Sequence, residues 1–249
     1  AILAIALGCR WLQRHGAGWP GLGAVAIGAA AAFAASALPI ALLQLDLGPL
    51  APGERFLASV YLFTGGLEEA VKLVLLVAVL LPDEPLRRPR DAIVAALLMG
   101  AGFELVENAG KLLVATNLLP FVALRLPPRH LLFALLTGIG LWWYLRTGHR
   151  RRVLFATWLA AALAHGAFNH ATMVLGPRWI WPEPNEAEIY RLVFRVDLEM
   201  LKAEWTGFAI AEAGIVLAVG AIAIILARRV LRAGLEQSPP ASASASFGE

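Results

Sequence analysis

Long apolar runs closed off by arginine constrain this chain more than any other feature. They fall at residues 1–9, 21–45, 56–81, 92–119, 128–145, 153–175 and 205–227. About twenty apolar residues cross the hydrocarbon core of a bilayer as a helix. A backbone in lipid must satisfy its own hydrogen bonds, which only helices and closed barrels achieve. With 59% hydrophobic and 16% charged residues among 249, the composition lies far from the roughly 45–50% and about 25% of soluble domains. The sequence therefore predicts an all-α fold, a polytopic transmembrane helical bundle of about seven passes, as a single domain over residues 1–234. The segment 235–249, with Pro239-Pro240 followed by alternating Ala and Ser, cannot bury a core and reads as a disordered cytoplasmic tail.

The first run has nine residues and no initiating methionine. At 1.5 Å per residue it reaches only about 14 Å, so the expectation is that it begins inside a helix of a longer product. Gly8-Cys9 is followed at once by Arg10, Arg14 and another apolar run, unlike a lipoprotein cleavage site. Cys9, the single cysteine, excludes an intramolecular disulfide and a cysteine-based metal cluster.

The net charge of +3 does not point to nucleic acid, because the arginines stand in short groups between apolar runs and face a lipid bilayer. Arg10 and Arg14, then Arg87, Arg88 and Arg90, then Arg146, Arg150, Arg151 and Arg152, then Arg228, Arg229 and Arg232 occupy every second connection. Basic residues collect on the cytoplasmic side. Those connections and the C-terminus are thus expected in the cytoplasm, with the protein in a bacterial inner membrane. His15 and His149 fall in these basic loops and read as surface residues. The outer segment 176–204 carries Ile189, Leu192, Val193, Val196 and Met200 at helical spacing, with Arg191, Arg195, Asp197, Glu199 and Lys202 between them. Flanked by Trp179, Trp181 and Trp205, residues 186–204 are predicted to form an amphipathic helix on the outer interface.

Charged residues at the centre of a membrane helix cost about 2.5–3.5 kcal/mol each on insertion scales, so they normally face a cavity and mark function. The run 56–81 holds Glu68, Glu69 and Lys72; the run 92–119 holds Glu104, Glu107, Asn108 and Lys111; the run 128–145 opens with Arg129-His130; and the run 153–175 holds His165, Asn169 and His170. Spacings of three or four residues put Lys72 within reach of either Glu68 or Glu69, Lys111 within reach of Glu107, and Asn169 below His165. Lys72 can neutralise only one of the two adjacent carboxylates. Glu104 reads as helping to satisfy the polar cluster. Glu212, about two turns inside the outer end of its run, reads as a snorkelling residue. Gly65-Gly66, Gly100 and Gly102 read as points of close helix packing.

Four motifs stand in order on separate helices: Glu68-Glu69-x-x-Lys72, Phe103-x-x-x-Glu107-Asn108, His130 with Gly138 beyond it, and His165-x-x-x-Asn169. Together they resemble the motifs of the PrsW intramembrane proteases, within the superfamily of CAAX prenyl proteases and bacteriocin-immunity membrane proteins. The resemblance covers residues 56–175, the expected catalytic core. It implies a membrane-embedded endopeptidase acting on single-pass membrane proteins such as anti-sigma factors, cut near the outer membrane border. It also implies that Glu68 activates water with Glu69 beside it, that His165 and Asn169 donate to the oxyanion, and that Glu107 stands where the CAAX branch has a histidine, with His130 supplying an imidazole. Lys72, Phe103 and Asn108 would support them.

Peptide hydrolysis needs an activated water, a base, an acid for the leaving amine and oxyanion donors, and these residues supply all four. Two arrangements stay open. Adjacent glutamates in different environments can divide into base and acid without a metal. Alternatively, a divalent cation such as zinc would relieve the excess of negative charge, with ligands from Glu69, Glu107, His130 and His165 and with Glu68 as base. No H-E-x-x-H pattern forces zinc. Readings in other classes are an ion- or proton-coupled transporter with carboxylates at the midplane, and a non-catalytic immunity-type relative.

Counted from Arg146, His130 lies about 24 Å along a straight helix, against about 18 Å for His165 counted from Val153. The mismatch predicts that residues 118–128 fold back to roof the site from the outer side, their backbone buried by protein or lining a wet cavity.

Overall fold

The computed structural model describes residues 23–26, 28–31, 54, 57–80, 89–114, 129–146, 151–175 and 198–236. Among them every element is helical and no strand occurs. A π-helix, Ser59–Leu67, runs directly into α1, Glu68–Leu80; α2 spans Pro89–Val114, α3 Arg129–Arg146, α4 Arg151–Leu175 and α5 Leu198–Glu236. The start of α2 follows from its sequence: Pro89 has no N–H to leave unpaired in the first turn, and Asp91 complements the positive end of the helix dipole. Helix α3 begins just past Pro127-Pro128, which cannot continue a helix from upstream, and its last turn carries Arg146.

Packing runs from α2 to α3, from α3 to α4, and from α4 to both the π-helix and α5. Glycines set the closest approaches. A side chain at Gly65 would meet Ala162 O of α4 at 2.6 Å, one at Gly100 would meet His130 O of α3 at 2.6 Å, and one at Gly102 would overlap the Val25 carbonyl. Threonines are satisfied within their own helices: Thr64, Thr137, Thr157 and Thr172 each donate to the carbonyl four residues back. That pattern suits a medium without water.

Helices Asp91–Ala109 and Trp205–Arg232 are long and apolar enough to cross a bilayer. The second is turned inside out relative to a soluble helix. Ala209, Val216, Ala223 and Ala227 face the protein, while Phe208, Ile210, Ile215, Leu217, Ile222 and Ile225 are exposed. Without a hydrophobic drive between helices in lipid, small residues pack inward and large apolar ones meet the acyl chains. The first expected pass and most of the second lie outside the described residues, so the count of seven rests on the sequence.

Two boundaries differ from expectation. Residues 198–204, assigned to a separate outer helix, are continuous with the last pass in the 39-residue α5. No Pro or Gly interrupts Leu198 to Thr206, and Leu, Met, Lys, Ala and Glu all favour the helix. Leu235 and Glu236, assigned to the disordered tail 235–249, close α5; residues 186–197, the remaining tail 237–249 and the expected roof at 118–128 lie outside the described residues.

Candidate active site

The paired glutamates sit where the π-helix becomes α-helix, and the Glu68 backbone N–H bonds to Gly65 O at the junction. Short π-helical insertions recur at functional sites. Adjacent residues on a helix diverge by about 100°, so the two carboxylates have different surroundings. Glu69 is fully buried, and Glu68 keeps about 16% of its side chain exposed. Of the two possible partners, Lys72 chooses Glu69. Its ammonium also lies 4.3 Å from the centre of the Phe103 ring and 3.3 Å from His130 Nδ1.

Helices α2 and α3 add a second layer. Glu104, fully enclosed, accepts from Asn108 Nδ2 at 3.0 Å through one oxygen and from the His130 backbone N–H at 3.0 Å through the other. That N–H belongs to the first turn of α3 and has no carbonyl of its own helix to bond. A carboxylate there satisfies the donor and complements the helix dipole. Glu107 Oε2 accepts from Arg129 at 2.6 Å and meets His130 Nε2 at 2.5 Å.

From α4, His165 is buried with Nδ1 2.9 Å from Glu69 Oε1 and Nε2 3.8 Å from Glu68 Oε2. Its ring stacks on Phe133 with centroids 4.5 Å apart and meets His130 edge-on at 5.0 Å. An ionised carboxylate only accepts, so Glu69 fixes the proton of His165 on Nδ1 and leaves a lone pair on Nε2. His130 has cationic donors on both sides: Lys72 Nζ lies 3.3 Å from Nδ1, and Arg129 Nε donates to Nε2 at 3.3 Å beside Glu107 Oε2.

The structure thus brings Glu68, Glu69, Glu107, His130 and His165 together, with Lys72 and Phe103 among them and Asn108 one step outside. Asn169 is half-buried one turn beyond His165, and among the described residues no hydrogen bond ties it to the cluster. The Lys111 side chain lies outside the described residues. One member, Arg129, has no role in the sequence reading. It stands in the sequence only as the neighbour of His130, although a guanidinium opening an apolar run is itself a signal, and here it is buried. Glu104, expected to help satisfy the polar cluster, does so as the cap of α3.

A metal fits here, in a set different from the expected Glu69, Glu107, His130 and His165. One ligand atom each from Glu68, His130 and His165 lies within 4.8 Å of the others, while Glu69 and Glu107 are the carboxylates that orient the two imidazoles. Two imidazoles and a carboxylate with an open fourth position suit catalytic zinc. Glu69 Oε2 is buried with no hydrogen-bond partner among the described residues. Among the described side chains of the cluster, four carboxylates (Glu68, Glu69, Glu104 and Glu107) face two cations (Lys72 and Arg129). With neutral imidazoles and ionised carboxylates, that leaves the charge a divalent cation would balance.

Glu212, expected to snorkel, is instead buried; Tyr61 of the π-helix donates to one of its oxygens, and His170 Nδ1 of α4 meets the other. Its short side chain finds protein partners nearer than the interface.

Gly100 connects packing to the site. Substitution by Ala is expected to destabilise the bundle by about 1–3 kcal/mol through overpacking and to lower activity by shifting His130. Thermal unfolding and cleavage rate together check this; an unchanged melting temperature would contradict the close contact with His130 O.

A family model described as PrsW family intramembrane metalloprotease matches residues 17–196. The match reaches beyond residues 56–175, taking in the second apolar run and most of the outer segment. No curated protein and no solved structure matches the chain. With well over half of its length matched, and with its glutamates and histidines gathered among buried helices, the chain belongs to the PrsW family of intramembrane metalloproteases.

Proposed function

We propose that the protein is a membrane-embedded endopeptidase that hydrolyses a single-pass membrane protein near the outer border of the bilayer, using a divalent metal held by Glu68, His130 and His165. The observation that carries this reading is the approach of three ligand atoms from three helices, with each imidazole oriented by its own carboxylate. A bound divalent ion supplies polarisation of the scissile carbonyl and a more acidic water.

The chain's own groups do the rest. Glu69 holds the tautomer of His165 and leaves its Nε2 as a ligand atom, while Glu107 orients the His130 ring. Glu69 Oε2, the buried oxygen without a donor among the described residues, takes the proton of the attacking water and later returns it to the leaving amine. Lys72 and His165 hold its other oxygen in place. Asn169 is the nearby uncharged donor for the developing oxyanion. This exchanges the roles implied by the resemblance: Glu68 becomes the ligand and Glu69 the base. An anti-sigma-factor-like protein is the substrate class that the family resemblance favours.

The test is cleavage of a single-pass substrate co-reconstituted in liposomes. Zinc-loaded protein is expected to cut it, stripping with a chelator to abolish cleavage, and zinc to restore it. Undiminished cleavage by metal-stripped protein would overturn the metal assignment. Intact substrate with the loaded protein, across a panel of single-pass proteins, would overturn the peptidase reading.

A further inference from the structure

Tyr61, Glu212 and His170 form a second buried polar cluster that shares no residue with the metal set. Its members come from the π-helix, α5 and α4. Glu212 and His170 are enclosed by protein, and the Glu212 carboxylate bridges the Tyr61 hydroxyl and His170 Nδ1. The Tyr61 ring lies directly over Gly166, the residue after His165, where any added Cβ would overlap it. Gly65, three residues before Glu68, packs as closely on Ala162 and Gly166. The π-helix is therefore fastened to the stretch of α4 that carries His165, and its one hydroxyl tie to another helix in this cluster ends on Glu212.

A π-helix closes hydrogen bonds over five residues and turns less per residue than an α-helix, which makes runs as long as Ser59–Leu67 rare. Relaxation of this segment to α-helix would rotate Glu68 and Glu69 relative to Tyr61 by on the order of a quarter to a third of a turn. Such a rotation would carry the carboxylates away from His165. The local sequence SVYLFTGGL has nothing that favours π over α geometry, so tertiary contacts must hold the register.

We propose that Glu212 is a positioning residue: through Tyr61 and His170 it locks the π-helical register that aims Glu68 and Glu69 at His165. Loss of the Tyr61 hydroxyl leaves a buried carboxylate oxygen without its donor, and the register loses its tie to α5. The link to catalysis rests on the peptidase reading, whereas the link to the register does not.

The test uses the full chain in nanodiscs, as wild type, Tyr61→Phe and Glu212→Gln. Hydrogen exchange over Ser59–Leu67 is read by mass spectrometry, and kcat and KM by cleavage of a single-pass reporter. Both variants are expected to speed exchange in that segment at least tenfold with α3 unchanged, and to lower kcat at least tenfold with KM within twofold. Unchanged exchange in Tyr61→Phe overturns the proposal, as does faster exchange with kcat intact. Tyr61→Phe keeps the ring over Gly166, so it decides the matter even where Glu212→Gln fails to fold. A wild type that cleaves nothing counts against the peptidase reading, and the exchange result then decides the register on its own.

Discussion

Glu68→Gln and Glu69→Gln are expected to inactivate the protein in different ways. Both amides preserve shape. At Glu68 the substitution removes an anionic ligand atom, so zinc binding and cleavage should be lost together. At Glu69 it removes the proton acceptor while an amide oxygen still accepts from Lys72 and His165. Cleavage should then fall by about 10²–10⁴-fold, the range for loss of a general base. Metal affinity should weaken by no more than about 10–100-fold, as for other groups that orient a liganding histidine. Zinc stoichiometry and single-turnover cleavage of the two variants check this. The reverse outcome, metal lost in Glu69→Gln and kept in Glu68→Gln, would restore the assignment implied by the resemblance.

The second large effect concerns stability. Lys72 is fully buried with its ammonium against Glu69. Removing one partner of such a pair leaves an uncompensated charge, which typically costs about 3–5 kcal/mol, whereas removing both is often tolerated. Lys72→Met is expected to unfold at markedly lower denaturant or temperature. The double variant Lys72→Met with Glu69→Gln should recover more than half of that loss, although it stays inactive. Equal stability of Lys72→Met and wild type, or no recovery in the double variant, would mean that the pair does not hold the ionised charges assigned to it.

The sequence made the polar faces legible because helical spacing is local. Glu68, Glu69, Glu107, His130 and His165 could be picked out by the rarity of charge in apolar runs. Spacing alone left Lys72 between two carboxylates. Glu69 won because His165, 96 residues away, shares the same oxygen, and no local pattern carries that contact. A charged residue near a helix end reads as one that reaches for water, which hides Glu212, and neither Glu212 nor Arg129 has its partner within helical spacing. Their partners lie 22 residues away for Arg129, and 151 and 42 residues away for Glu212. The π-helix was invisible because tertiary contacts impose it. The separate outer helix was drawn at Trp205, where hydropathy changes, but backbone hydrogen bonding does not follow hydropathy and carries α5 across that border.

The division of the site among helices has a consequence for how the protein is made. Glu68 and Glu69 are synthesised with α1, Glu104 and Glu107 with α2, Arg129 and His130 with α3, and His165 with α4. Lys72 is the opposite charge that Glu69 meets on its own helix, whereas the contacts of Glu107 with Arg129 and His130, and of Glu69 with His165, wait for helices synthesised later. Pairing these groups rewards assembly of the bundle after insertion. On the proposed metal assignment, the order of translation also withholds hydrolytic competence: the glutamates have no imidazole until α3 arrives, and the proposed ligand set is incomplete until α4 does. Glu212, which accepts from Tyr61 of the π-helix, follows on α5. Under that assignment, a ribosome-bound fragment that stops short of α4 lacks His165 and is expected not to cleave.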